Sequence, residues 1–179
     1  KIIFSGVGKR DDEIEEALSN DILMLNLESE EEMKRVELIA QRLGVLARIS
    51  IRVNPNIDAQ THPYISTGLH ENKFGVDIES AKRMYIHAKN SPSLDPVGIH
   101  FHIGSQITEL QPFKDAAVVL ANLLRNLKAL QIDIKFFDVG GGVGIRYDDE
   151  TTISLYDYAQ GIFAALGGLD VTLVCEPGR

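Results

Sequence analysis

The sequence contains very little cysteine and no concentration of positive charge. Its 179 residues include one cysteine, and the 18 lysines and arginines are outnumbered by 26 aspartates and glutamates, which gives a formal net charge of −8. A single cysteine cannot form a disulfide within the chain, and the lack of a basic block excludes a typical nucleic-acid or anionic-membrane partner. The start shows no signal-peptide core, and no apolar run is long enough to cross a bilayer. We therefore expect a cytoplasmic protein that binds neither nucleic acid nor membranes.

The apolar residues are arranged as short strand-like runs, each followed by an amphipathic segment. Hydrophobic residues make up 44% of the chain and charged residues 25%, which is typical of a globular α/β domain. Alternation and β-branched content predict about six β/α units. The predicted strands are 2–5, 22–26, 46–54, 97–102, 134–139 and 171–175.

Several helix starts are marked by residues that bind free backbone N–H groups. Ser29 with Glu32, and Thr108 with Gln111, fit the capping box, in which two side chains satisfy backbone donors reciprocally. Asp77 is predicted to open another helix. The segment after Thr108 carries an apolar stripe with helical spacing that is expected to face a sheet: Leu120, Leu123, Leu124, Leu127 and Leu130.

Repeated β/α units require parallel strands with right-handed crossovers, in either an open doubly wound sheet or a closed barrel. Polar or glycine residues follow almost every predicted strand, whereas an open sheet concentrates them at one switch point. This distribution favours a barrel of the (β/α)₈ TIM type. Such a barrel has eight strands in typically about 250 residues. We therefore expect a partial barrel with about two strands lying outside this sequence.

The last four residues place a carboxylate and a guanidinium directly after the final predicted strand. They are Glu176, Pro177, Gly178 and Arg179. Active sites of barrels lie at the carboxyl ends of the strands, and phosphate sites gather around the last two strands. The sequence therefore predicts that these residues belong to an active site.

A glycine triplet follows the preceding strand. Gly140, Gly141 and Gly142 could let several backbone N–H groups converge on an anion without interference from Cβ atoms. A tight turn without ligand is at least as common, and the spacing matches neither the dinucleotide fingerprint nor the Walker loop. The anion hypothesis gains weight from Arg179, which ends the next strand and could bind the same phosphate.

Two histidines alternate at the end of the fourth predicted strand. His100 and His102 should face the barrel interior, with Phe101 on the opposite face. They could be hydrogen-bonded core residues, two ligands of a metal ion, or an aromatic platform for a flat cofactor whose phosphate binds near Ser105. The metal hypothesis lacks partners, because the other histidines are predicted in a loop or a helix: His62, His70 and His87. We therefore expect no metal.

These motifs together resemble the fold-type III pyridoxal-phosphate (PLP) decarboxylases, and in particular the diaminopimelate branch. The resemblance is carried by the long loop 54–75 and by the runs 102–105, 138–142 and 176–179, which occur in the family's order with comparable spacing. It covers nearly the whole chain. The triple glycine is shared with ornithine and arginine decarboxylases, whereas the long loop is more particular to the diaminopimelate branch.

The resemblance implies a role for each matching position. His102 would stack on the pyridine ring, and Glu176 would bond the ring nitrogen. Arg52 would lie near the cofactor, and Arg179 would touch both phosphate and substrate. The remaining cofactor-binding positions are Ser105, Gly140, Gly141, Gly142, Pro177 and Gly178, and Lys73 would border a subunit interface.

The family's catalytic lysine has no match in this sequence. In the family this lysine forms a Schiff base with the cofactor at the end of the first barrel strand. Lys9 is interpreted as a solvated residue at a helix start, and Lys135 lies at the entrance of its strand, before Phe136 and Phe137, at the wrong end for chemistry. We expect residues 1–179 to be a fragment of the PLP-binding barrel. The first two strands and a C-terminal β-domain, with a Cys and a Tyr used by the partner subunit, would lie outside it.

The resemblance implies decarboxylation of meso-2,6-diaminopimelate to L-lysine and CO₂, by a homodimer with shared active sites. A glutamate beside the ring nitrogen favours the protonated ring that stabilises a carbanion, whereas racemases of the same fold place an arginine there. Two alternatives remain open. One is an ornithine, arginine or carboxynorspermidine decarboxylase, and the other is a PLP-binding barrel protein without catalytic activity.

Overall fold

The computed structural model describes residues 1–57, 74–149 and 151–179. Within these residues, six strands alternate with five helices along the chain. The strands are β1 (Ile3–Phe4), β2 (Met24–Leu27), β3 (Ala47–Arg52), β4 (Leu94–His100), β5 (Phe136–Asp138) and β6 (Thr172–Val174). The helices are α1 (Asp11–Ser19), α2 (Glu30–Leu43), α3 (Ile78–Asn90), α4 (Gln111–Ala129) and α5 (Leu155–Ala165).

Every predicted strand is present, and all six form one parallel sheet in the order of the sequence. A sequential order has no switch point and therefore excludes the open doubly wound alternative. In a flat sheet, β1 and β6 would lie about 24 Å apart, at five spacings of about 4.8 Å. Ser5, after β1, nevertheless donates a hydrogen bond to Glu176, after β6, at 2.5 Å. The sheet is therefore curled into a partial barrel, as expected.

The fourth strand begins three residues earlier than the sequence predicted. Pro96 lies inside β4, and the pairing register with β3 shifts between Ile49 and Ser50, which pair with Pro96 and Gly98. Proline cannot donate a ladder hydrogen bond and is tolerated in strands mainly at such irregularities. The predicted strand begins only after this proline, at residue 97.

The main core fills the space between the sheet and the helices. Phe101, directly after β4, and Phe137 of β5 meet edge to face with ring centroids 6.0 Å apart. Phe113 of α4 makes a similar contact with Tyr158 of α5 at 5.0 Å. The predicted stripe on α4 is buried except at its end: Leu120, Leu123, Leu124 and Leu127 are buried. Leu130 is 47% exposed, because α4 ends at Ala129 and the next residue leaves the packed face.

The predicted helix starts are correct in part. Asp77 caps α3 by accepting hydrogen bonds from the N–H groups of Glu79 and Ser80, both at 2.9 Å. Ser29 accepts from the N–H of Glu32 at 3.1 Å. The carboxylate of Glu32, however, does not return to Ser29, because it binds Lys9 and the N–H of Glu28.

The capping box at Thr108 is wrong. α4 begins at Gln111 after Leu110, with a proline in its first turn, a position that proline favours. Ile107 forms a β-bridge with Val143, which keeps the chain extended up to Thr108 and delays the helix.

None of the helices within the described ranges is both long and apolar enough to span a bilayer.

Candidate active site

Five polar side chains from five strands meet inside the carboxyl end of the curled sheet. His100 and Asp138 are register partners at the ends of β4 and β5, and Asn26 lies in β2. Ser5 follows β1 and Glu176 follows β6. Asn26, His100 and Asp138 are fully or almost fully buried. We call these five residues the interior polar cluster.

Hydrogen bonds connect four members of the interior polar cluster. Ser5 Oγ donates to Glu176 Oε1 at 2.5 Å and accepts from Asn26 Nδ2 at 2.8 Å. The same amide nitrogen lies 3.0 Å from Asp138 Oδ2 and 3.4 Å from Glu176 Oε1. Asp138 Oδ1 accepts from the N–H of Gly140 at 3.0 Å. Asn26 therefore connects the two carboxylates, and Ser5 fixes the orientation of Glu176.

The burial of the cluster changes the protonation of two of its members. Burial, with a smaller contribution from the charge of Glu176, raises the pKa of Asp138 to about 6. Burial and the positive charge of Arg52 lower the pKa of His100 to about 3. His100 is therefore neutral at neutral pH, and its Nε2, 3.7 Å from Glu176 Oε2, does not form an ion pair. Neither ring nitrogen of His100 has a hydrogen-bond partner among the residues that the structure describes.

Three side chains of the cluster could offer ligand atoms to a metal ion: a ring nitrogen of His100 and one carboxylate oxygen each of Asp138 and Glu176. These three atoms lie within 4.8 Å of one another. These two carboxylates were not predicted as metal partners of His100, because only histidines and cysteines were expected in that role. Both carboxylates already accept hydrogen bonds from neighbouring side chains. Of the other histidines, His87 lies exposed on α3 beside Glu37, and His62 and His70 fall outside the described residues.

The glycine triplet packs tightly against the loops after β4 and β6. A Cβ atom would lie 2.5 Å from the carbonyl oxygen of Phe101 if added to Gly140, and 2.3 Å from that of Glu176 if added to Gly141. At Gly142, where φ is +93°, it would lie 1.8 Å from the carbonyl oxygen of Gly104. Only glycine fits at these positions, because the three loops touch through their backbones.

The three glycine N–H groups have partners within the chain. They donate to Asp138 Oδ1, to His102 Nδ1 at 3.3 Å and to the carbonyl of Gly178 at 2.7 Å, in the order Gly140, Gly141 and Gly142. An anion would have to replace one of these bonds to use the corresponding donor. The contribution of the triplet to phosphate binding therefore stays a prediction.

The other residues predicted to bind the cofactor surround this loop contact. His102 is half-buried, and burial followed by the charge of Arg52 lowers its pKa. Ser105, Pro177, Gly178 and Arg179 are exposed. The guanidinium of Arg179 lies 5.4 Å from the centroid of the Tyr147 ring. Within residues 1–57, 74–149 and 151–179, no hydrogen bond occupies Ser105 Oγ or the Arg179 guanidinium.

Arg52 is held by Glu28 at the carboxyl end of the curled sheet, which we call the mouth. Glu28 was not predicted to belong to the site. The two side chains form an ion pair at 2.7 Å and are 13% and 8% exposed. A second guanidinium nitrogen lies 3.5 Å from the carbonyl of His102. Glu28 directly follows β2, and Arg52 ends the neighbouring β3, so opposite charges at adjacent strand ends were the signal in the sequence.

The interpretation of Lys9 as a solvated residue is wrong. Its side chain is 1% exposed and pairs with Glu32 at 2.8 Å. Its amine also donates to the carbonyls of Gly6 and Asn26, at 2.7 and 2.6 Å. The exposed residue at the start of α1 is Arg10, and Lys9 folds back between the ends of β1 and β2. Lys135 is exposed and precedes β5, as predicted, and Lys73 lies outside the described residues.

The sequence of the chain matches one protein family over its whole length. The sequence profile described as "Pyridoxal-dependent decarboxylase, pyridoxal binding domain" matches residues 1–179. The chain therefore belongs to the pyridoxal-dependent decarboxylases. Within that family it is 62% identical to the diaminopimelate decarboxylase of Campylobacter jejuni over 180 residues, which cover 100% of this chain and 45% of that protein. The corresponding enzyme of Pseudomonas aeruginosa is 49% identical and is covered to 43%.

Solved structures show the same similarity. The diaminopimelate decarboxylase of Helicobacter pylori, complexed with L-lysine, is 60% identical with a TM-score of 0.94, and the match covers 99% of this chain and 45% of that one. The enzyme of M. jannaschii is 35% identical with a TM-score of 0.88, and the match covers 100% and 43% of the two chains. The chain thus spans less than half the length of the relatives it matches.

Removal of the buried Lys9 amine should destabilise the protein strongly. We expect Lys9→Met to lower the free energy of unfolding by about 3 kcal/mol, because Glu32 and two carbonyls lose a shared partner in a buried setting. The matched control is Lys34→Met, which removes an exposed lysine paired with Glu30 on α2 and should leave stability nearly unchanged. Denaturant unfolding of both variants measures the difference. Equal stability of the two variants would contradict the buried role of Lys9.

Proposed function

We propose that this chain forms part of a PLP-dependent enzyme that decarboxylates meso-2,6-diaminopimelate to L-lysine and CO₂. The observation that carries the proposal is the carboxylate of Glu176, fixed by Ser5 and Asn26 at the mouth of a barrel. The choice of substrate is supported by 59–62% identity to four diaminopimelate decarboxylases. It is also supported by the L-lysine found in solved relatives.

The residues at the mouth fit the cofactor. Glu176 offers an oriented carboxylate for a ring nitrogen, and His102 offers a half-buried flat imidazole. Ser105 and Arg179 offer a hydroxyl and a guanidinium for a phosphate. The glycine triplet allows the loops that carry these groups to meet, because Cβ atoms would force them apart. Pro177 and Gly178 connect Glu176 to Arg179, so that one short segment carries both the carboxylate and the guanidinium.

PLP, when bound, supplies an electron sink for the carbanion left by the departing CO₂. The residues of this chain determine how well the sink works. Glu176 would place its carboxylate where it could stabilise a protonated ring nitrogen, and the hydrogen bond from Ser5 holds that carboxylate in place. Arg52 lies close enough to lower the pKa of both His100 and His102. These imidazoles therefore stay neutral beside a cationic ring.

We further propose that the active protein is a cytoplasmic homodimer and that its catalytic lysine lies outside residues 1–179. The lysines with described side chains support this location. Lys9 is held by three acceptors, and Lys135 lies at the opposite end of its strand. A further β-domain beyond this barrel part is consistent with relatives more than twice the length of the chain.

Activity measurements on the full-length protein test the substrate. With PLP, we expect meso-diaminopimelate to be converted to L-lysine and CO₂ in equal amounts, and ornithine and arginine to be poor substrates. The fold cannot decide this point, since the lysine/ornithine decarboxylase of Vibrio vulnificus shares it at a TM-score of 0.76 and 20% identity. Faster turnover of ornithine or arginine would overturn the substrate, and PLP binding without turnover would indicate a non-catalytic barrel protein.

Replacement of Glu176 tests its role at the ring nitrogen. Glu176→Gln keeps an oxygen that accepts from Ser5 but removes the negative charge, so the loss should fall on the transition state. We expect kcat to fall about 100-fold, or about 2.7 kcal/mol, while the Kd for PLP changes by less than about tenfold. Glu109→Gln, at an exposed position, is the control. A wild-type rate of single-turnover decarboxylation would refute the assignment.

Chemical trapping locates the catalytic lysine. Borohydride reduction of the PLP-loaded full-length protein, followed by peptide mapping, should place the pyridoxyl label on a lysine outside residues 1–179. An amine must be free and close to the cofactor to react with it. Stoichiometric label on Lys9, Lys73 or Lys135 would place the catalytic lysine within this sequence and contradict the proposed domain arrangement.

A further inference from the structure

Asp138 is a buried carboxyl group that the proposed function does not use. It ends β5, is completely inaccessible to solvent, and belongs to the interior polar cluster. Its two oxygens accept from the N–H of Gly140 and from Asn26 Nδ2, both at 3.0 Å. Its nearest carboxylate oxygen lies within 4.8 Å of that of Glu176.

Two partly buried carboxylates at the mouth are each paired with a cation, and Asp138 is not. Glu28 is bound by Arg52 and Glu32 by Lys9, each within 2.8 Å. Among the ion pairs within the described ranges, none includes Asp138. A buried carboxylate without a cation strongly favours its neutral form, and two carboxylates in contact cannot both ionise easily.

The groups that face Asp138 from the neighbouring elements do not supply a positive charge. His100, from β4, is neutral because its pKa is lowered to about 3. Glu176, from β6, cannot carry a positive charge, and burial raises the pKa of its neighbour Cys175. Burial, followed by the charges of Cys175 and Asp138, raises the pKa of Tyr158 from α5. Asn26 and Ser5 do not ionise.

We propose that Asp138 and Glu176 share one proton, carried by Asp138, which donates it in a hydrogen bond to Glu176 and so acts as a positioning residue. Glu176 is the better site for the negative charge, because its side chain is 33% exposed and accepts from Ser5. Asp138 is the better site for the proton, because it is fully buried. The shared proton is independent of the cofactor, and its consequence for catalysis rests on the proposed function.

The proton gives stability a particular pH dependence. The pKa of Asp138 in the folded state, about 6, is higher than the usual value near 3.8. The folded state therefore binds this proton more tightly than the unfolded state between these two values. The stabilisation by the protonated form is complete below about pH 3.8 and is lost as the pH rises through about 6.

Three variants of the full-length protein without PLP test the proposal. Asp138→Asn keeps a neutral group that donates to Glu176, Asp138→Ala removes the donor, and Asp133→Asn changes an exposed aspartate before the same strand. We expect Tm of Asp138→Asn relative to wild type to rise by about 1–2 °C between pH 5 and pH 7.5. Asp133→Asn should run parallel to wild type. If the curves of Tm against pH for Asp138→Asn and Asp138→Ala also ran parallel to that of wild type, the proposal would be overturned.

Infrared spectroscopy identifies the proton directly. At pH 5.2 the wild-type spectrum should contain the carbonyl stretch of a buried protonated carboxylic acid, with a titration midpoint near 6. Asp138→Asn should lack this band, and Asp133→Asn should keep it. Absence of the band from wild type would refute the shared proton. Loss of the band in Glu176→Gln, with retention in Asp138→Asn, would assign the proton to Glu176 instead.

Activity of the PLP-loaded variants tests the positioning role separately. At pH 5.5, where Asp138 holds its proton, Asp138→Ala should lower kcat at least tenfold with little change in KM, and Asp138→Asn should restore most of the loss, because its amide can donate to Glu176. Equal loss in both variants would refute positioning by hydrogen-bond donation. If the infrared and thermal results hold but no variant, wild type included, decarboxylates diaminopimelate, the proposed function fails and the shared proton stands.

Discussion

Burial of carboxylates inside a curled parallel sheet is the constraint on which this structure depends. A buried charge must be paired, hydrogen-bonded or neutralised, and the interior polar cluster uses the last two solutions. The hydrogen bond from Ser5 to Glu176 joins the first and last strands across the interior. Because it joins residues 171 positions apart in the sequence, this bond can form only when all six strands are in register and the sheet is curled. The same contact thus reports the fold and orients the carboxylate.

A second set of charges surrounds the cluster and uses pairing instead. Lys9 with Glu32 and Arg52 with Glu28 place two cations at the mouth, each held by its own carboxylate. Both cations contribute to the lowered pKa of His100, which keeps that imidazole neutral. Below about pH 6 the mouth therefore contains two cations, each paired with its own carboxylate, and within the interior polar cluster a single negative charge, on Glu176, where a cationic ring would need it. This separation requires that Asp138 does not contribute a second negative charge.

The sequence predicted the repeating architecture better than the individual polar contacts. Strand positions follow from alternation of apolar residues, which is a local property, and all six were found. The exceptions have local causes: Pro96 hides the start of β4, and the Ile107–Val143 bridge displaces the start of α4. Lys9 was misinterpreted because its burial depends on Glu32, 23 residues away, and the partner of Asp138 lies on another strand. No periodic pattern encodes such contacts between distant positions, so opposite charges at adjacent strand ends are the best available signal.

The glycine triplet shows how one motif can satisfy two different requirements. Sequence reasoning interprets consecutive glycines as an anion-binding loop, yet here the absence of Cβ atoms is required first by backbone contacts with the loops after β4 and β6. The N–H groups that could face an anion already bind Asp138, His102 and Gly178. A phosphate at this place is therefore best served by Ser105 and Arg179 on the adjoining loops, whose side chains make no hydrogen bond to any part of the chain that the structure describes. The glycines would then contribute mainly by bringing these loops together, and a residue with a side chain at Gly142 would disturb the fold of the mouth before it disturbed any direct contact with the phosphate.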